Sequence, residues 1–361
     1  MEKTVIVLDS FEYKSKEKEL QKSIENICTP IFVYTKYENV LTEIFQRTKL
    51  IGGFLTHISY WLLSLVYALR LLKCRNRKRI IFINPIVGIF YAAICRILCI
   101  NKTIISIAGF LFENKQSRLY YAIRKKFVNF CYKKVETIIL YGKDEQELYS
   151  NIFPKLKDKF VFVQYGKDYN YKKTKHFNHS REYISSGGRS NRNYQMLCDA
   201  MRGIDGSQRI DCLVATRPEC VTPSMANCNV DFIYGITLNQ FGSFIKRSKL
   251  FILPLRDTNI SAGHMSMMEA MAVRVPVIVT DIPSIRDYVG EDCVFFYNAN
   301  DACDLRRKII FIIENLDSDI VKNKVKNAYA LYNKEYSFQS LLQRIVKTSI
   351  YASPRQGYKE A

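Results

Sequence analysis

Acidic residues are missing from a long part of this sequence: none occurs between Glu43 and Glu113, while Arg70, Lys73, Arg75, Arg77, Lys78 and Arg79 crowd the middle of that gap. A stretch of this kind repels cationic partners and points to a polyanion, either lipid headgroups or nucleic acid. The imbalance is local. Residues 1–180 hold 31 Lys and Arg against 15 Asp and Glu, residues 181–361 hold 23 against 19, and the whole chain carries +20. Histidine is scarce, with four in the chain, and His57, His176 and His179 fall in an apolar stretch or a polar linker without ligand-like neighbours, which leaves no metal motif. The eleven cysteines include no CxxC pair, and their odd, scattered pattern excludes a zinc ribbon or a disulfide framework and suits reduced thiols in a cytosol. The opening "MEKTVIVLDSFEYKSKEKEL" lacks the apolar core of a signal peptide and reads as a first strand running into a charged segment. Neither an internal repeat nor a long low-complexity segment is present.

What is there is alternation. At 361 residues, with 48% hydrophobic residues, the chain is long enough for two domains with a core each. Strand-like apolar runs alternate with helix-like runs throughout, the pattern of parallel sheets wrapped by helices. The first series is "TVIVLD" (4–9), "PIFVYT" (30–35), "RIIFIN" (79–84), "KTIISIA" (102–108), "ETIILYG" (136–142) and "KFVFVQYG" (159–166). The basic, polar stretch 167–180 is expected to be a linker. The second series is "REYISSGGRS" (181–190), "RIDCLVAT" (209–216), "NVDFIYG" (229–235), "KLFILPL" (249–255), "VPVIVTD" (275–281) and "CVFFYN" (293–298). The expected architecture is α/β: two doubly wound Rossmann-like domains, 1–168 and 181–334, facing a central cleft. A C-terminal helix and tail, 335–361, would pack back on the first domain. Ligands in such sheets bind beyond the carboxyl ends of the strands.

Two stretches of the second half carry candidate chemistry. In "SSGGRSNRNY" (185–194) a strand runs into Gly187 and Gly188, then offers Arg189 and Arg192 as a helix begins. Glycines admit close approach of backbone to a ligand, and helix N-terminal amides with arginine forks suit phosphate. A tight turn with a solvated arginine fits the same residues. In "NISAGHMSMMEAMAVRVPVIVTD" (259–281) Gly263 precedes a helix expected to start near Met265, whose first amides, those of Met265 and Ser266, lack intrahelical partners. Met268, Met271 and Ala272 read as core. Glu269 stands out, because a carboxylate in an apolar helix is costly without partners; a ribose diol or a neighbouring arginine would supply them. His264 is either a donor contact or a packed histidine.

In order and spacing these segments, together with "NVDFIYGITLNQFGSFIKRSKLFILPL" (229–255), resemble the C-terminal domain of GT-B glycosyltransferases, the large retaining group called glycosyltransferase group 1 or family 4, over about residues 181–300. The resemblance implies a metal-independent hexosyltransferase that needs no cofactor beyond its co-substrate, a nucleotide-sugar donor, most readily UDP-linked. It implies front-face attack by the acceptor hydroxyl as the nucleoside diphosphate leaves. Glu269 falls on the second acid of the family's pair and would hold the ribose. Ser261 stands where the first acid grips the donor sugar, with Asp257 and Asn259 nearby as substitutes. Arg189 matches the first phosphate-binding cation; the second position is Tyr194, so Arg192 would take over the charge. Gly188, Gly263, His264, Met265 and Ser266 would line the phosphates. Tyr234, Gly235, Thr237 and Leu238 would sit near the base. The usual glycine before "VPVI" is Arg274 here. Arg189, Glu269 and Ser261 are thus the candidate catalytic residues.

The acceptor side is recognisable only by its alternation. Nineteen uncharged residues (51–69) approach the length of a membrane span, about 20 residues. Followed by the basic run 70–79, they fit instead a surface that dips into anionic headgroups, or a core helix before a basic turn. In the resembling family the acceptor is often a lipid-linked saccharide, so the expected place is the cytoplasm, peripheral on the inner face of the cytoplasmic membrane, in O-antigen, capsule or other polysaccharide synthesis. Gly52 and Gly53 are further candidates for the acceptor side, and Gly109 and Glu113, at a strand end, for a contact with acceptor or donor. A nucleic-acid partner is not expected, because the basic cluster lies beside an oily segment rather than among stacking aromatics. A non-catalytic relative acting as a scaffold is the competing reading, motivated by Ser261 and Tyr194. The lone "DSD" (317–319) lies in a polar helical context unlike the metal-binding motif of the other glycosyltransferase architecture.

Overall fold

Each of the twelve apolar runs carries a strand, and every strand pairs in parallel, six to a sheet. The computed structural model describes residues 1–9, 13–36, 52–110, 112, 118–169, 176–204, 210–258 and 260–351, the side chains of 52–57 and Asn239 aside. Glu113, Asn259 and residues 170–175 of the linker lie outside the described residues. The chain divides into two compact units: one of residues up to Tyr141, Glu145–Val163 and the chain from Leu342 on, the other of Gly142–Asp144 and Gln164–Leu341.

The first unit is built on β1 (Lys3–Asp9), β2 (Thr29–Thr35), β3 (Arg79–Phe82), β4 (Ile104–Ala108), β5 (Thr137–Leu140) and β6 (Phe160–Phe162), in the order β2-β1-β3-β4-β5-β6. Strands covered on both faces must be apolar at successive positions, and β3 and β5 are buried at every residue. After α1 (Glu17–Ile24), three helices lie side by side: α2 (Gly52–Arg70), α3 (Pro85–Ile97) and α4 (Arg118–Tyr132), with α3 between the others. Asn84 starts α3 by accepting from the Ile86 amide at 3.1 Å, and Pro85 occupies the first helical position, where its missing N–H costs nothing. A Cβ on Gly88 would lie 2.9 Å from Ile107, so the glycine lets α3 settle onto the sheet. Arg79, counted in the basic run, is instead a core residue: it pairs with Glu2 at 3.4 Å and donates to the carbonyl of Ser349. It is therefore withdrawn from any polyanion surface. Gly52 opens α2, and Gly109, at φ +92, follows β4.

In the second unit β7 (Tyr183–Gly187), β8 (Asp211–Ala215), β9 (Val230–Ile233), β10 (Phe251–Leu253), β11 (Val277–Asp281) and β12 (Phe295–Asn298) take the order β12-β11-β10-β7-β8-β9. Chain order reverses between β7 and β10, and the loops leaving those two strands flank the crevice where doubly wound sheets bind ligands. The described helices are α5 (Lys143–Ile152), shared with the first unit, then α6 (Tyr194–Met201), α7 (Leu238–Lys246), α8 (His264–Ala272), α9 (Pro283–Arg286), α10 (Ala302–Glu314), α11 (Asp319–Glu335) and α12 (Phe338–Tyr351), which belongs to the first unit from Leu342 on. Ser318 of "DSD" is the N-cap of α11, accepting from the Val321 amide at 3.4 Å, an ordinary helix start. His179 lies 3.4 Å from Asp211, 32 residues downstream. The linker's first residues are sewn into this unit: the Lys167 amide donates to Tyr336 O at 2.9 Å, and Asp168 accepts from the Phe338 amide at 3.0 Å.

Arg274, in the place of a glycine, ends α8 in the left-handed region at φ 61, and its guanidinium lies 4.0 Å from the centre of the Tyr329 ring. The ring contact offsets the backbone strain. Arg274→Ala keeps the strain and loses the contact, whereas Arg274→Gly loses both. Glycine should be the more stable of the two variants by about 1 kcal/mol in urea denaturation, and near wild type.

Candidate functional site

The site is built where β7 and β10 end. A Cβ on Gly187 would fall 2.5 Å from the Phe241 ring, and one on Gly188, at φ +110, would fall 2.4 Å from the Arg192 guanidinium. Both glycines are required by close packing. The Gly188 carbonyl accepts from the Tyr194 hydroxyl at 2.7 Å and from Thr216 Oγ1 at 2.8 Å. Tyr194 is thereby fixed as a loop brace, and burial pushes its pKa up to about 12, so it supplies no charge.

Arg192 is the centre of the loop. Its Nε donates to Gly187 O at 2.9 Å, Nη1 to Ser190 O at 2.7 Å and Nη2 to Ser266 Oγ at 3.2 Å. It is 8% exposed, and among the described residues no carboxylate pairs with it; burial pulls its pKa down. A guanidinium has five N–H groups, so donors remain after these three bonds. The side chain is buried because the carbonyls of its own loop satisfy part of its fork, unlike the solvated arginine of a plain tight turn. Arg189, next to it, is exposed, and its side chain makes no hydrogen bond or ion pair among the described residues.

The β10–α8 loop is laced to the same turn. Asn193 N donates to Pro254 O at 2.9 Å, Arg256 N to Asn191 O at 3.1 Å and Asn191 Nδ2 to Arg256 O at 3.0 Å. Leu255 N donates to Thr280 Oγ1 at 2.7 Å, which anchors the loop to β11. Gly263 starts α8 at φ +87, one residue earlier than the sequence implied, because His264 is already helical. Helical bonding begins with Met267 N to Gly263 O at 3.0 Å, so the amides of His264, Met265 and Ser266 precede it. Ser266 brings that helix start against Arg192. A positive helix end and a buried cation without a counter-charge therefore converge, and an anion is the partner both favour.

Ser261 and His264 are joined to each other. His264 is buried, its Nε2 lies 2.9 Å from Ser284 O and its Nδ1 2.9 Å from Ser261 Oγ. A carbonyl requires a donor, so Nε2 carries the proton and Ser261 donates to Nδ1. Burial lowers the pKa of His264 to about 4, and its ring centre is 4.0 Å from that of Tyr288. The imidazole is neutral at ordinary pH and orients Ser261.

Glu269 sits farther along α8, half-buried, with its pKa raised to about 7 by burial against a smaller opposing pull from Lys167. Around it the linker docks on α8 and α11: the Tyr169 hydroxyl donates to Met265 O and the Tyr332 hydroxyl to Lys167 O at 3.1 Å. Sequence reasoning missed Lys167 and Tyr169, because a polar stretch with no period gives no sign of where it packs. Tyr234, Gly235, Thr237 and Leu238 lie exposed at the end of β9 and the start of α7, on the edge strand of the same sheet. Gly235 is needed for its φ of +79, since a Cβ there would meet nothing. Among the described residues no hydrogen bond ties these four to Arg192 or to the start of α8. Asp257 is exposed in the same loop as Arg256.

Residues 181–315 match the model of the family described as glycosyl transferases group 1. Among curated proteins no sequence matches. Solved structures match over nearly the whole chain. A glycosyltransferase from Rickettsia africae is 14% identical, covering 98% of this chain and 100% of that one, with a TM-score of 0.62. HepE of Anabaena in complex with UDP is 12% identical, covering 96% and 99%, at 0.59. The lipopolysaccharide outer core galactosyltransferase WaaB is 12% identical, covering 97% and 99%, at 0.55. At such identities the likeness is one of fold, and the two six-stranded units have the fold of GT-B glycosyltransferases.

Proposed function

We propose that this chain is a retaining glycosyltransferase that moves a hexose from a UDP-sugar to a lipid-linked or polysaccharide acceptor at the inner face of the cytoplasmic membrane, in cell-surface glycan synthesis. The observation that carries the reading is Arg192, a buried cation without a carboxylate, bonded to the first turn of α8 at the switch point of the second sheet. The diphosphate would lie against the amides of Met265 and Ser266, the remaining Arg192 donors and the free fork of Arg189. Fixed donors in a water-poor site stabilise charge that develops on a leaving diphosphate. No metal is needed for that charge in this reading. His264, neutral and committed to Ser284, is no acid for the leaving group, so the departing phosphate oxygen takes the acceptor's proton. The Glu269 carboxylate would accept from the ribose hydroxyls, and Tyr234 to Leu238 would border the base. HepE, solved also with UDP-glucose, is a fold relative whose ligand is of the same chemistry. Anionic lipid would meet the basic run 70–78 of the first unit.

UDP should raise the melting temperature of the protein, and Arg189→Ala, an exposed change, should leave stability unaltered while weakening UDP about tenfold to a hundredfold. Absence of any UDP effect on wild type removes the reading. Binding without sugar hydrolysis or transfer from a set of UDP-sugars, with chelator present, would favour the scaffold reading instead.

A further inference from the structure

Helix α4, Arg118–Tyr132, carries an apolar stripe that faces outward. Leu119 is 73% exposed and Ile123 59%, and Phe127 and Phe130 continue the row at helical spacing, while Val128, Cys131 and Tyr132 turn to the core. No acid occurs on this helix; Arg118, Arg124, Lys125 and Lys126 interleave with the stripe, and Lys133 and Lys134 follow it. On the other side of α3, helix α2 repeats the arrangement. Trp61 is 49% exposed and Leu62 59%, with Ile58, Val66 and Leu69 also exposed, while Ser64 and Ala68 are buried. Both stripes are held to α3: Trp61 packs edge-on against Phe90 at 5.6 Å, and Arg96 donates to Phe130 O at 2.9 Å with its guanidinium 4.4 Å from that ring. Ile97 and Leu98, at the end of α3, are exposed as well.

A helix that is apolar toward the core and toward solvent has a second apolar environment to meet. Among the described residues no helix is long and apolar enough to cross a membrane. The only acid between Glu43 and Glu136 is Glu113, so the cations around these stripes complement a negative surface. Nucleic acid would match the charge and leave the outward leucine and isoleucine side chains in water, whereas a bilayer takes both.

We propose that α2 and α4 lie side by side in the interface of an anionic bilayer, one on each flank of α3, with Trp61, Leu62, Leu119 and Ile123 among the acyl chains and the lysines and arginines at the headgroups. This takes the membrane partner of the transferase reading further by naming a second helix, and the basic run after α2 is only part of the surface.

Trp61 is the only tryptophan in the chain, which makes it a reporter. With vesicles of phosphatidylcholine and phosphatidylglycerol, its emission should shift to the blue and be quenched by brominated acyl chains; with phosphatidylcholine alone the protein should bind about tenfold more weakly. Leu119→Gln with Ile123→Gln, both at exposed positions, should cut partition into the mixed vesicles about tenfold. Lys125→Gln with Lys126→Gln should flatten its salt dependence. Wild-type partition in the glutamine double variant, an unquenched Trp61 in bound protein, or displacement of vesicle-bound protein by duplex DNA with the apolar variants binding DNA normally would each overturn the proposal. The UDP-induced thermal shift should be the same in all these variants. Loss of vesicle binding alone overturns this surface, and loss of the UDP shift in wild type alone overturns the transferase reading.

Discussion

Arg192→Met is expected to weaken UDP binding about a hundredfold while changing stability by less than about 2 kcal/mol, a combination unusual for a residue so buried. The magnitudes explain the pairing. Methionine removes three charge-assisted hydrogen bonds, to Gly187 O, Ser190 O and Ser266 Oγ, each worth about 1.5–3 kcal/mol. It also removes a desolvated charge without an ionic partner, a burden of several kcal/mol. The two effects nearly cancel in the free protein, but not in the complex, where the diphosphate supplies the missing negative charge. A loss of about a hundredfold in affinity, about 3 kcal/mol, is the expected result by titration calorimetry. Arg192→Lys keeps the charge with a single donor head and should fall between the two. Unchanged UDP affinity in Arg192→Met would show that the buried cation serves the loop alone.

Glu269→Gln should make the protein more stable, and increasingly so as pH rises. The carboxyl has a folded pKa of about 7 against an ordinary 4.5 because burial disfavours its charge. Below 4.5 both states are protonated and the group contributes nothing. As pH rises, the unfolded chain ionises first, so the folded state loses stability until the folded pKa is passed; above it the deficit is about 3 kcal/mol. Glutamine, the isostere of the neutral acid, removes that deficit, so its melting temperature should exceed wild type at about pH 8 and coincide with it near about pH 4.5. UDP affinity should move oppositely. An ionised carboxylate accepts from a diol better than a protonated one, so wild-type affinity should climb relative to the variant as pH passes about 7. The titration of the ligand's own phosphate is common to both proteins and drops out of the comparison. A variant without this divergence would detach Glu269 from the ribose. His264 works in the reverse sense: its folded pKa of about 4 lies below the ordinary 6.5, so the stability it contributes is present above 6.5 and lost as pH falls through about 4. The two slopes oppose each other between about pH 4.5 and pH 6.5, so the contributions of this pair offset one another there until one group is replaced.

The strands were legible because a buried parallel strand must be apolar at successive positions, and such runs stand out between helical periods. "VPVIVTD" and "TIIL" declare themselves in this way. Gly188 and Gly263 were legible as close approaches to a helix start, although only the structure shows that the neighbour of Gly188 is the Arg192 guanidinium. Burial of Arg192 was not legible, since its acceptors are carbonyls, and every residue has one. Nor was the docking of Lys167, whose carbonyl meets a hydroxyl 165 residues away. Glu269 was conspicuous for a local reason, a charge in an oily helix, but the lysine that tempers it is not local. Arg79 shows the converse error: read by its neighbours it belongs to a basic cluster, while its partners, Glu2 and Ser349, lie far off in sequence.

Arg79 also sets an order of events in the making of the protein. Its acceptor on α12 is 270 residues downstream, and Gln343 on the same helix donates at 2.7 Å to Ser23 O. The first sheet can pair as it leaves the ribosome with Glu2 already beside its buried arginine, but the second acceptor of that arginine arrives only when residue 349 has been translated. During that interval the earliest-made unit stays incomplete and open to proteases, and it closes only after the second unit has been synthesised.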